Sequence, residues 1–169
     1  MAISGATMAS LATGGHSLPV IFASVLGVGL LCGLWNGLLV AVFKIQPIVA
    51  TLILMVAGRG IAQLITEGQI ITFNNEALAW IGSGALCYLP TPVIITLGMA
   101  LLLWLLTKRT ALGLFIEAVG INIKAAKNAG LNTPMVVIAT YLLSGMMAAV
   151  AGMIVAADIR GADANNAGL

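Results

Sequence analysis

Hydrophobic positions along this chain fall in long unbroken runs, not in alternation. A stretch rich in Ala, Gly, Ser and Thr covers residues 1–15, and four longer apolar runs follow at about 19–43, 47–65, 92–107 and 134–157. A helix rises ~1.5 Å per residue, so the first long run can cross a hydrocarbon core of ~30 Å with some tilt. The third is short, and Leu89 and Thr107 can extend it at the interfaces. Three runs open on Pro47, Pro92 and Pro134. In the first turn of a helix the missing N–H has no intrahelical partner to lose, so these prolines read as start signals. Continuous apolar runs predict helices and argue against a membrane barrel, whose strands alternate. The expected fold is all-α: a polytopic helical membrane protein of about four transmembrane helices, preceded by a partial helix over 1–15 that is too short to cross alone.

Composition strengthens this picture. Hydrophobic residues make up 61% of the chain and charged residues 7%, and the mean hydropathy is +1.14, whereas soluble domains carry roughly a quarter charged residues. Lipid cannot satisfy free backbone groups, which leaves helices as the spanning elements here. A net charge of +2 without a basic cluster gives no footprint for nucleic acid. The first basic residue is Lys44, so the apolar N-terminus lacks the charged start of a cleavable signal peptide. Cys32 lies inside a run and Cys87 in a polar connection, which forms neither a disulfide framework nor a metal spacing, and both are expected to be free thiols. His16 stands alone, and no metal site is expected.

Charge placement sets an orientation. Lys44, Lys108, Arg109, Lys124 and Lys127 fall on one side of the expected spans; Glu67, Glu76, Asp158 and Asp163 fall on the other, with only Arg160. By the positive-inside rule the segment 108–133 is cytoplasmic and the first span starts outside. In the outer loop, Asn75 and Gly82 suit the two ends of a short interfacial helix, with Trp80 and Tyr88 at headgroup depth.

Within the spans a few positions depart from hydrocarbon. Gly29, Gly33, Gly37 and Ala41 recur every four residues, as do Ser144, Ala148 and Gly152, and each stripe predicts a close helix contact. Arg59 needs a partner, a route to the headgroups, or water; ~22 Å up the axis from Lys44, it reads either as snorkelling or helix-pairing, or as lining a polar path. Gln63 follows four residues on, on the expected same face. Asn36 reads either as a bond to a neighbouring helix or as a path residue. The chain has no H-E-x-x-H, G-x-S-x-G or G-x-x-x-x-G-K-[ST] motif. It reads as a non-enzyme with no cofactor of its own, and any ATP would be bound by another chain.

The most soluble-looking segment is Ala111–Thr133. Asn122 is a good N-cap, 123–129 holds good helix formers at most positions, and Gly130 suits the position after a helix end. Lys124 and Lys127 are expected on one face and Ile123 and Ala126 on another, with Gly120 and Gly130 as the joints. Such a helix suits either a groove on a partner or the inner leaflet, where its lysines would meet anionic lipid.

Here the residues become familiar. The run Gly113-x-x-x-Glu117-Ala-Val-Gly120-x-Asn122-x-x-Ala125-Ala126-x-x-Ala129-Gly130 resembles the cytoplasmic loop of the permease subunits of ribose-type bacterial ABC sugar importers. The segment from Ile45 to Gly60, I-Q-P-I-V-A-T-L-I-L-M-V-A-G-R-G, looks like a second hallmark, and the tail from Ala156 to Leu169 is similar to the galactofuranose-importing members. The resemblance implies a single permease domain over 1–169, in the bacterial inner membrane, passing a monosaccharide inward. It implies three kinds of partner: a cytoplasmic ATP-binding subunit, a second permease subunit and a periplasmic sugar-binding protein.

Glu117, Ala118, Gly120, Asn122, Ala125, Ala126 and Gly130, with Lys124 and Lys127, would form the ATPase-coupling element. Asn36, Arg59 and Gln63 would lie on the substrate path, and Asp158, Arg160 and Asp163 would meet the binding protein outside. The family pattern extends past both ends of this sequence, so the resemblance implies a chain truncated at each end. A branched-chain amino acid permease, a secondary transporter and a membrane scaffold stand as rivals; the absence of a carboxylate in the expected spans weighs against proton coupling.

Overall fold

A computed structural model describes residues 1–67, 71–72, 80, 82, 84–86, 89–159 and 161–162, with backbone alone at 71–72, 85–86 and 161–162. Helix α1 (Ala2–Thr13) leads into α2 (Leu18–Ala41) and α3 (Pro47–Thr66). The short strands β1 (Ile71–Thr72), β2 (Ala85–Leu86) and β3 (Leu89–Pro90) precede α4 (Thr91–Arg109). Helices α5 (Ala111–Ile121), α6 (Ile123–Asn128) and α7 (Thr133–Ile159) follow, then β4 (Gly161–Ala162). Four of these helices, α2, α3, α4 and α7, are long and apolar enough to cross a membrane. Each of these helices lies within two residues, at either end, of one of the expected runs.

Sequence chemistry accounts for the ends. Pro19, Pro47 and Pro92 sit in the first turns of α2, α3 and α4. Helix α1 stops at Gly14 and Gly15, where Gly15 takes a φ of +70° and His16 N–H returns 3.3 Å to Leu11 O, closing the last turn. After α2, Lys44 adopts a left-handed φ of 54° and Ile45 N–H reaches Leu39 O at 3.1 Å, so the chain reverses before Pro47.

The core is a close pairing of α2 with α7. A Cβ built on Gly29 would lie 2.7 Å from Gly145 O, one on Gly33 would lie 3.0 Å from Leu142 Cα, and one on Gly37 would lie 3.1 Å from Ile138 Cα. The glycine stripe on α2 thus lets two backbones approach as expected. The partner face on α7 differs from the expected stripe by one position: Tyr141, Gly145 and Ala149 meet α2. Ser144 and Ala148 turn to a cavity, and Gly152 packs on Met1 and Ser4 of α1.

Helix α1, the expected partial helix, packs as a buried wedge against α2, α3 and α7. Its Met8 and Ala9 are fully buried with Ile21, Val25, Ala149, Met153, Ala156 and Ala157, and Ala6 meets Ala62 of α3. Helix α4 is peripheral. Apolar gaps of about 250 Å³ and 280 Å³ lie between it and α2 and α7, one towards each end.

The ends of the bundle sort by charge. The α2–α3 turn, the end of α4, α5, α6 and the start of α7 form the end that carries Lys44, Lys108, Arg109, Lys124 and Lys127. At the other end β1 pairs antiparallel with β4, and β2 with β3. The expected interfacial helix over 75–82 lies outside the described residues apart from Trp80, which is exposed, and Gly82, which abuts the backbone of Ala157 and Asp158. Cys87, Tyr88 and Glu76 also lie outside them.

Candidate functional site

Two sites emerge, an elbow at the basic end and a cavity inside the bundle. The elbow departs from the expected loop over 108–133. Lys108 and Arg109 close α4, and 111–121 is a helix instead of a connection. Thr110 is extended, with φ −118° and ψ 156°, and Gly113 N–H returns to Thr110 O at 3.2 Å. Gly113 lies so close to the Thr107 carbonyl that a side chain there has no room. Lys108 Nζ donates to Glu117 Oε1 at 3.3 Å across this turn; both side chains are largely exposed.

The break between α5 and α6 is at Asn122, where the backbone is extended and Oδ1 accepts from Lys124 N–H at 3.0 Å and Ala125 N–H at 3.1 Å. The expected cap is thus present. Gly130, at φ +85°, follows the end of α6, and Leu131 N–H bonds Ala126 O at 3.1 Å. Helix α6 ends at Asn128, one residue earlier than expected. Gly120 is helical and exposed in the last turn of α5, so it is not the joint it was expected to be.

A small apolar core seats the elbow. Val119, Ala126 and Val136 are buried together, with Phe115, Ile116, Leu131 and Val137 packed around them. Ile123 does not share this seat with Ala126, contrary to expectation; it is 60% exposed, and Ile121 is 86% exposed. Asn122 breaks the helix between these isoleucines, so the two jut out beside Lys124 and Lys127, which are also exposed. Glu117 and Ala125 are exposed, and Ala118 is half-buried.

The cavity, about 330 Å³, lies among the start of α1, α2, α3 and α7, at the small end of the roughly 300–1,000 Å³ common for ligand pockets. Asn36 and Arg59 both line it. Asn36 is 8% exposed, and its buried Oδ1 has no hydrogen-bond partner among the described residues. Arg59 is half-buried and forms no ion pair among the described residues.

Gln63 does not join them. It is exposed, because Ala62 takes the inward position at that level and packs on Ala6. Thr51, Ser144, Tyr141 and Cys32 also line the cavity, and sequence reasoning missed all four in this role. The available signal was helical spacing, since Cys32 precedes Asn36 by one turn and Thr51 precedes Arg59 by two. Asp158 is exposed at the acidic end, while Arg160 and Asp163 lie outside the described residues.

Comparison with known proteins agrees along the whole chain. The profile of the family described as branched-chain amino acid transport system / permease component matches residues 1–169. The galactofuranose transporter permease of Escherichia coli is 69% identical over 169 residues, all of this chain and 50% of that protein. The fructose import permease of Bifidobacterium longum is 35% identical, covering 96% of this chain and 47% of its own length. The ribose import permease of Escherichia coli is 32% identical, with 96% and 52% covered. The chain therefore spans about half the length of the curated relatives it matches. No solved structure matches it.

Proposed function

We propose, from the premise that this chain belongs to the branched-chain amino acid transport system permease-component family, that it forms membrane-spanning permease structure of an ATP-driven importer for a monosaccharide of the galactofuranose or ribose type. The observation that carries this reading is the 69% identity to a galactofuranose transporter permease over every residue of the chain. In this reading the chain binds no nucleotide. An ATP-binding subunit docks on the elbow from the cytoplasm, a second permease subunit completes the path, and a periplasmic sugar-binding protein delivers the sugar at the acidic end, where Asp158, Arg160 and Asp163 would meet it.

The elbow's chemistry supports the docking. Ile121 and Ile123 are apolar side chains left in the open, Lys124 and Lys127 add charge beside them, and the Val119–Ala126–Val136 seat ties that surface to the first turns of α7. An apolar anchor with a charged rim is how short helices enter grooves.

A branched-chain amino acid as substrate is the reading favoured by the family's description. Among the described residues no carboxylate lines the cavity to pair with the ammonium of such a substrate. Retention of the co-expressed ATPase subunit on affinity-purified permease tests the assignment. Charge reversal at Lys124 and Lys127 together with Ile121→Asp is expected to abolish retention while leaving helix content unchanged. Undiminished retention would overturn the elbow as the docking surface.

A further inference from the structure

Helix α4 stands off from α7, and at its basic end the space between them is walled almost wholly by hydrocarbon. The gap of about 280 Å³ lies among Leu106 of α4, Leu112 and Ile116 of α5, Leu30 of α2, and Leu142 and Met146 of α7. All of its lining falls between Leu30 and Met146. Its one polar side chain is Thr107, whose hydroxyl is engaged by the carbonyls of Leu103 at 2.9 Å and Trp104 at 3.1 Å. A buried water needs two to four polar partners, so this space does not suit water. Leu30 and Leu112 are exposed at its rim. The gap therefore opens onto whatever surrounds the bundle, which for spanning helices is lipid.

In a bilayer, hydrocarbon is already the solvent, so an acyl chain entering the gap gains the dispersion contacts its lining lacks and no escape from water. An apolar cavity of ~150 Å³ accepts a benzene ring, and 280 Å³ has room for a run of methylenes. Charge then selects the lipid. The α4 wall of the gap ends at Leu106 and Thr107, and the next two residues are Lys108 and Arg109, both exposed. Lys108 shares its charge with Glu117, whereas Arg109 forms no ion pair among the described residues. A guanidinium presents forked donors that match a phosphate. Basic residues at the mouth of a crevice between spanning helices suit an anionic headgroup lying over its own acyl chain. We infer that the gap between α4, α5 and α7 binds one anionic phospholipid, with an acyl chain in the gap and the phosphate on Arg109, assisted by Lys108. The site stands whichever solute the protein passes.

Two lipids with the same chains separate the headgroup from the tail. The whole chain, purified in detergent and stripped of lipid, is titrated with dioleoylphosphatidylglycerol or dioleoylphosphatidylcholine, and bound lipid is counted by native mass spectrometry. One phosphatidylglycerol per chain is expected to bind, at a concentration about fivefold or more below that needed for phosphatidylcholine. Arg109→Gln is expected to remove most of this preference. Lys124→Gln, at the same end of the bundle but away from the gap, is expected to leave it. Ala139→Phe adds bulk to the α7 wall of the gap and is expected to weaken both lipids about threefold or more. Unchanged helix content in each variant keeps the comparison valid.

Equal binding of the two lipids would overturn the headgroup contact. So would a preference that Lys124→Gln lowers as much as Arg109→Gln, since that is a diffuse attraction to the basic end. Undiminished binding to Ala139→Phe would overturn the placement of the acyl chain. Full displacement of phosphatidylglycerol by glycerol 3-phosphate would make this a site for a free phosphate and not for a lipid. In phosphatidylglycerol vesicles, a disulfide-linked dimer of Leu142→Cys on a Cys32→Ser, Cys87→Ser background would give the gap to a second copy of the chain.

Discussion

Asn122 decides where the basic end of the bundle bends. Its side chain accepts two backbone N–H groups, and its extended backbone separates α5 from α6. Asn122→Ala removes an N-cap that is typically worth about 1 kcal/mol. Faster amide hydrogen exchange over 123–128, with the exchange of α7 unchanged, is the expected result. Gly113 is as constrained for a different reason, the contact with the Thr107 carbonyl. Gly113→Val is expected to destabilise by about 1–3 kcal/mol through overpacking, read as a lower unfolding midpoint in detergent. The Lys108–Glu117 pair should matter little: with both side chains about 60% exposed, Glu117→Gln is expected to shift stability by less than about 0.5 kcal/mol in the same assay.

At the scale of elements, the α2–α7 contact is the tightest in the bundle, and it depends on residues without side chains. Gly33→Leu should force the two helices apart and lower the unfolding midpoint sharply. Gly27→Leu on the same helix should be tolerated, because nothing lies within 4 Å of a Cβ there. Equal effects from the two substitutions would sink the assignment of the stripe. This contact was half legible in the sequence. The α2 glycines announced it by period alone, but α7 is small-residue-rich over much of its circumference, so periodicity could not choose between Ser144–Ala148 and Gly145–Ala149.

Helix α5 carried a signal that went unread. Leu112, Phe115, Ile116 and Val119 have helical spacing, and the last three do pack inward. Gly120, expected as a joint, concealed it. Gln63 illustrates the converse: spacing from Arg59 predicted a shared face, but Ala62 fits more closely against Ala6 and turns the glutamine out.

For the molecule as a whole, the spans, their proline starts and the segregation of positive charge were all legible, because a bilayer permits so few alternatives. The cavity was not. It exists where faces of four helices fail to meet, and no single helix's sequence records the space its neighbours leave. Asn36 and Arg59 could be named as unusual from cost alone, but only the packing brings them to one chamber.

Helix α7 joins the two sites in one rigid rod. Val136 anchors the elbow at its foot, Gly145 presses on Gly29 about 14 Å higher, and Ser144 and Ala148 form cavity wall beside that pressure point. A rod gripped at one place and pushed at another turns about the grip. The Gly29–Gly145 contact would then serve as a fulcrum, turning a sideways force at the elbow into a change of tilt at the chamber wall. The width of the chamber would then follow the position of an elbow that does not line it.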